Sequence, residues 1–189
     1  WEQTNPTTWR FNLRKGVKFH NGETFDAEGA AYGIWRNWSK EMNTTMRSFI
    51  GAEMTAKAVN PETLEVVTET PDPILPTRLY FSPLPAPQDA KENPEQQPIR
   101  PIGTGPYKFV EWSKGQYLKM NANEDYWGGV PKIKDVVMTF RKESVVRAAM
   151  AKTGEMDFAR HISPEECKTT PQCISSPSVE IPFFRVDVA

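Results

Sequence analysis

Apolar and polar positions fall into two periods along this chain. Trp9, Phe11 and Leu13 alternate with Arg10, Asn12 and Arg14, the period-two pattern of a half-buried strand. Lys15-Gly16 supplies a turn, Val17 and Phe19 resume the alternation, and Asn21-Gly22 closes it. A helix follows, with Asp26 as its N-cap and Glu28 at the positive end of its dipole. Ala30, Ala31, Ile34, Trp35 and Trp38 recur there at helical spacing, while Gly29 and Gly33 weaken the pattern. Two short strands over 53–59 and 64–70 are joined by Asn60-Pro61-Glu62-Thr63, whose proline pre-sets a turn, so a hairpin is predicted.

From Pro71 the texture changes. Ten of the seventeen prolines lie between Pro71 and Pro106. A short helix carrying Ile74, Leu75, Leu79 and Tyr80 is expected within an otherwise extended loop that runs to Pro101. After Gly103-Thr104-Gly105-Pro106 the pattern is β again: 107–112 and 116–122 flank Ser113-Lys114-Gly115 as a second hairpin. An aromatic turn, Asp125-Tyr126-Trp127-Gly128-Gly129, leads to a strand over 133–141. Ser144 is the expected cap of a helix through Lys152, with Gly154 just past its end. A short buried strand is expected over 156–159. Ser163-Pro164-Glu165-Glu166 reads as a capping box with proline at the first helical position, and 179–188 as extended chain. No internal repeat is present.

Composition narrows the function. The 189 residues carry 23 Lys and Arg against 24 Asp and Glu, a net charge of -1, with no clustered basic excess for phosphate neutralisation. No nucleic-acid partner is therefore expected. No run of about 18 apolar residues exists to span a bilayer. Aromatic content of 11%, including six Trp, points to a folded chain. The sequence opens at Trp1 without a leader and stops in mid-alternation at Val186-Asp187-Val188-Ala189, so we read it as part of a longer polypeptide.

Candidate chemistry is sparse. There is no G-x-S-x-G, no H-E-x-x-H and no Walker lysine. Gly103-Thr104-Gly105-Pro106-Tyr107-Lys108 looks like a phosphate loop, but its proline removes an amide donor and a strand follows where a helix should begin. It is expected to be a structural turn. His20 is expected to hydrogen-bond within its own turn. His161 lies on a loop after the 156–159 strand, the end of a strand at which α/β proteins meet ligands; a plain exposed loop histidine is the competing reading. Cys167 and Cys173 form either a short disulfide loop in an oxidising compartment or a pair of free thiols. A metal site with His161 lacks a fourth ligand. The carboxylates Glu23, Asp26 and Glu28 are explained by the helix dipole. Trp35 and Trp38 are expected to serve core or inter-lobe packing, and Trp127 to lie over a sheet end. No catalytic residue and no cofactor is expected.

The stretch from Trp9 to Glu23, WRFNLRKGVKFHNGE, followed by Phe25-Asp26-Ala27-Glu28, resembles a hallmark of the family 5 extracytoplasmic solute-binding proteins. These are the dipeptide-, oligopeptide- and nickel-binding components of ABC importers. Pro101 to Tyr107 (PIGTGPY), with Glu124 to Gly129 (EDYWGG) and Pro131-Lys132-Ile133, resembles a second hallmark. Arg147-Ala148-Ala149 with Gly154-Glu155-Met156-Asp157 resembles a third, in the family's order and approximate spacing.

The resemblance implies an α/β fold of mixed α+β character, like a type II periplasmic binding protein. The chain would form part of its first lobe, with mixed sheets flanked by helices. Residues 1–98 would form the small extra subdomain and 99–189 the central part of the main one, with the second lobe absent. It implies a monomeric, non-enzymatic, periplasmic or extracytoplasmic protein, lipid-anchored or free. Such a protein closes on a small peptide or similar solute and delivers it to a membrane permease. Positions matching cleft-facing loops are Met46, Arg47, Phe81, Ser82, Arg160 and His161. The alternatives are a nickel or metal-chelate carrier using Met46, Arg47 and His161, a hydrolase or sensor on the same scaffold, and an interaction module built on the proline-rich segment.

Overall fold

A computed structural model describes residues 1–39, 41–42, 47 and 53–175. Met46 and the extended segment expected over 179–188 lie outside the described residues. The chain divides into two compact units, Trp1–Met138 and Thr139–Ala189.

The first unit is built on a four-stranded antiparallel sheet in the order β1-β2-β4-β3. Its strands are β1 (Glu2–Asn5), β2 (Thr8–Asn12), β3 (Met54–Asn60) and β4 (Thr63–Thr68). β1, which the alternation did not disclose, is polar and exposed along its whole length. β4 is central, and its register sorts the side chains. Trp9 and Ala56 flank Val66, and Phe11 and Ala58 flank Leu64. These residues meet helix α1 (Ala27–Trp38) in the apolar core with Ala27, Ala30, Ile34, Met54 and Leu75. On the opposite face Arg10 and Lys57 flank Glu65 and bond its carboxylate at 3.0 and 2.9 Å. A one-residue slip would put the charges in the core and the apolar set outside.

Helix α1 starts as the sequence predicts. The Asp26 carboxylate accepts the Gly29 amide at 2.8 Å, and the Ala27 amide donates to the Pro61 carbonyl in the β3–β4 turn. The two glycines inside the helix have a packing reason. A Cβ on Gly29 would lie 2.8 Å from Pro87 Cγ, and one on Gly33 would lie 2.6 Å from Leu84 Cδ2 and 3.3 Å from its Cα. Bare backbone at these positions lets the proline-rich segment lie directly against the helix.

That segment is more ordered than its composition implies. It holds α2 (Leu75–Leu79) and α3 (Pro87–Glu92), the latter within the stretch expected to be extended loop. The correction has a long-range cause. Glu23, expected to serve the dipole of α1, instead accepts the amides of Gln88 and Asp89 at 2.8 and 3.2 Å, capping α3 from the other side of the sequence. Buried Asp89 then binds Asn93, Gln97 and Arg100, which shapes the following turn. Asp72 plays a similar part for α2. Its side chain accepts the Ile74 amide and pairs with Arg78, and its carbonyl receives the Trp9 indole N–H at 3.0 Å.

His20 also reaches farther than its own turn. Its amide donates to the Gly103 carbonyl, its Nδ1 accepts the Gly103 amide, and its Nε2 meets the Gly105 carbonyl at 3.0 Å. A neutral ring with the proton on Nε2 satisfies both ring contacts. Buried Asn123 donates to the same Gly105 carbonyl. The Gly103–Gly105 loop is therefore tied down by His20 and Asn123, its Gly103 amide already donated to the imidazole, which is not the arrangement of a phosphate cradle.

Beyond this loop, β5 (Tyr107–Ser113), β6 (Tyr117–Ala122) and β7 (Asp135–Thr139) form a three-stranded sheet with β6 in the centre. In the β6–β7 connection Trp127 is half exposed, with the Arg14 guanidinium 4.6 Å from its ring. Among the described residues no apolar side chain of this sheet is fully buried. Val110, Trp112, Val137 and Met138 are 39–56% exposed, and the adjacent Val137 and Met138 lie on opposite faces. Apolar residues on both faces are the mark of a sheet covered on both sides.

The second unit contains α4 (Ser144–Thr153) and α5 (Pro164–Cys167), with Cys167 and Cys173 joined in a disulfide. Gly154 ends α4 in the left-handed conformation, as predicted. Ser144 does not cap it: the cap is Glu143, and the Ser144 hydroxyl instead donates to Glu166 and accepts the Ser163 amide. Ser163 does cap α5, receiving the Glu166 amide and bonding the Glu166 carboxylate. The 156–159 segment is neither a strand nor buried. It has no neighbouring strand among the described residues, and Phe158 is 76% exposed.

Replacing Gly33 by Ala should destabilise the protein by about 1–3 kcal/mol through overpacking against Leu84. Helix propensity alone would give a gain of about 1 kcal/mol, so urea unfolding decides by its sign. Hydrogen bonds from Lys57 and then Arg10 hold the Glu65 carboxyl below its ordinary range. A depressed native pKa contributes stability above the unfolded value that is lost as pH falls through the native one. Urea unfolding from neutral into acid pH should show this loss in the wild type and not in Glu65→Gln.

Candidate functional site

In the first unit the candidate residues gather around the C-terminal turn of α1. Asn37 is buried on the helix face that meets the proline-rich segment. Its amide donates to the Ser82 hydroxyl at 2.9 Å and to the Pro83 carbonyl at 2.7 Å. Ser82 is itself buried, so its hydroxyl fixes the backbone on which Phe81 is carried. Phe81 is half exposed and packs edge-to-face on the more exposed Tyr80, with ring centroids 5.2 Å apart. The next helical residue, Trp38, lies under the Arg47 guanidinium at 4.7 Å from the ring centroid, and Arg47 also pairs with Glu53 at 3.6 Å. Consecutive residues Asn37 and Trp38 thus contact Ser82 and Arg47. Their neighbour Met46 lies outside the described residues.

The chemistry this arrangement supports is recognition. Exposed aromatic rings offer apolar stacking, and a guanidinium on an indole face keeps its remaining donors for an acceptor. Ser82 is bonded to an amide, which is no general base, so no activated nucleophile is assembled there.

In the second unit Arg160 and His161 are exposed on the loop before α5. His161 has φ 54°, a left-handed conformation that costs a residue with a Cβ roughly 1–3 kcal/mol. Arg147 on α4 compensates for it. Its guanidinium donates to the carbonyls of Arg160 at 3.0 Å, His161 at 2.6 Å, Arg141 at 2.7 Å and Lys142 at 2.6 Å. Cys167 and Cys173 close the next loop. Among the described residues no three His, Cys, Asp or Glu groups gather to hold a metal. Nor is any helix there long and apolar enough to cross a membrane.

Sequence reasoning missed Asn37 and Arg147. The signal for Asn37 was a polar residue within the apolar stripe of α1. Arg147 opened the third hallmark, but its bonds go to backbone groups, which side-chain patterns do not encode.

The two sheets and the helices around them define a mixed α/β fold. The chain belongs to the bacterial extracellular solute-binding proteins, family 5, whose model matches residues 1–174. It is 28% identical over 193 residues to the glutathione-binding protein GsiB of Pectobacterium atrosepticum, covering 96% of this chain and 37% of that one. It is 31% identical over 158 residues to the nickel-binding periplasmic protein of Escherichia coli, covering 80% of this chain and 30% of that one. Among solved structures, the dipeptide binding protein of Pseudoalteromonas sp. SM9913 in complex with Met-Leu superimposes with a TM-score of 0.78. That match has 20% identity and covers 90% of this chain and 38% of the other. The fold is therefore that of the periplasmic binding proteins, as the sequence resemblance implied, and the chain spans about a third of the length of these relatives.

Asn37→Ala should cost about 1–3 kcal/mol, because the buried Ser82 hydroxyl and Pro83 carbonyl lose a donor. Chemical denaturation measures it.

Proposed function

We propose that this chain is part of the substrate-binding component of an ABC importer. It captures a peptide or similar small solute outside the cytoplasmic membrane and passes it to a membrane permease. The family match across residues 1–174 carries this reading. In our assignment residues 1–98 are the small extra subdomain of the first lobe, 99–189 the central part of its main subdomain, and a second lobe lies outside this chain. The half-exposed apolar faces of the β5–β7 sheet support that division, since such faces pack against further structure in a stable protein. Closure of two lobes on one solute favours the closed state only when that solute bridges them.

Arg47, Phe81 and Met46 in the first unit, and Arg160 in the second, are the residues we assign to solute contact, with the backbone of His161 positioning Arg160. Ser82 positions Phe81. The protein is monomeric and periplasmic or otherwise extracytoplasmic, a setting that suits the Cys167–Cys173 disulfide. It performs no catalysis. A second reading, a nickel or metal-chelate carrier, is favoured by the 31% identity to the Escherichia coli nickel-binding protein.

Native mass spectrometry of the longer polypeptide, carrying its second lobe, separates the two. A co-purified or added peptide such as glutathione or Met-Leu, bound one to one without metal, is the expected result. Binding of nickel with histidine and of no peptide would replace the first reading by the second.

A further inference from the structure

The four carbonyls that Arg147 engages belong to Arg141, Lys142, Arg160 and His161, so a single guanidinium draws together the backbone of four basic residues. All four are exposed, and among the described residues none of their side chains, nor Arg147 itself, forms an ion pair with a carboxylate. The neighbouring acids do not neutralise them. Glu166 is occupied by Ser144 and Ser163, and among the described residues the Glu143 and Asp157 carboxylates form no ion pair with any of the five.

The clamp also holds His161 at φ 54°, where a residue with a Cβ is strained. A strained backbone held by a guanidinium clamp, with exposed basic side chains that form no ion pair among the described residues, suits a loop that presents charge.

We propose that the Arg160–His161 loop is an anion subsite for a carboxylate of the solute and that Arg147 is its positioning residue. Arg160 supplies the contacting guanidinium, His161 supplies the backbone bend that presents it, and Arg147 fixes the bend. Arg141 and Lys142 add to the positive field. The assignment rests on the solute-binding reading above and names the group of the solute recognised by this loop. Arg147→Lys keeps the charge and loses the planar fork that reaches several carbonyls at once. The loop then populates its presenting conformation less often, and the apparent Kd rises in inverse proportion.

The test is a titration of the longer polypeptide, carrying its second lobe, with trialanine and with trialanine amide, followed by 15N NMR. Trialanine is expected to shift the Arg160 and His161 amides, with the amide form binding there about tenfold more weakly. Arg147→Lys should weaken trialanine binding about tenfold while the spectrum stays dispersed. Adding His161→Gly to that variant should restore most of the loss, because glycine takes a positive φ unaided; a merely structural role for Arg147 would show no such rescue. Equal binding of the two peptides, unchanged affinity in Arg147→Lys, or no rescue by glycine would each overturn the proposal. If trialanine shifts Arg47 and Phe81 but leaves Arg160 and His161 in place, solute binding stands and the subsite falls. If it shifts nothing, both fall.

Discussion

Strand β4 between β2 and β3 is the constraint on which the first unit depends. Its side chains alternate between Leu64 and Val66, facing the core, and Glu65, facing two cations. The apolar set gives the sheet a face for α1 to cover, and the Arg10–Glu65–Lys57 row penalises any shifted register. With that register set, α1 lies with its small residues toward the proline-rich segment. Its last turn then delivers Asn37 to Ser82 and Trp38 to Arg47. Phe81 and Arg47 therefore sit beside a core that neither of them joins.

Local pattern and tertiary bonding divided the fold between them. The β2 alternation, the Asp26 cap, the β3–β4 hairpin and the Gly154 stop were legible, because each is decided by residues within a few positions of one another. Helix α3 was not, since its capping carboxylate is Glu23, sixty-five positions before Gln88. The same limit applies to His20, whose partners are Gly103 and Gly105. At 156–159 the apolar residues were read as a buried strand, yet a strand exists only with a neighbour to pair with. The family hallmarks were legible as words while their reasons were not: His20 and Glu23 of the first bond the second hallmark's loop and the helix before it.

At the candidate site, sequence named the loops and missed what holds them. Phe81, Arg160 and His161 are exposed and Arg47 is part-buried, while Asn37 and Arg147 act through hydrogen bonds to a hydroxyl and to backbone carbonyls. Such bonds leave no periodic trace in a sequence. Ser82, read as a cleft residue, is turned inward as the partner of Asn37.

The reach of the Glu23 cap bears on the order in which the chain becomes ordered. The indole of Trp9 closes on Asp72, Arg10 on Glu65, and Glu23 on Gln88, so the early residues wait for partners made much later. During synthesis, the first strands leave the ribosome with their apolar side chains uncommitted until the β3–β4 hairpin emerges, and α3 stays uncapped longer still. Contacts this distant in sequence make folding slow and leave sticky intermediates exposed. The sheet thus closes only when residues more than fifty positions apart in sequence have met.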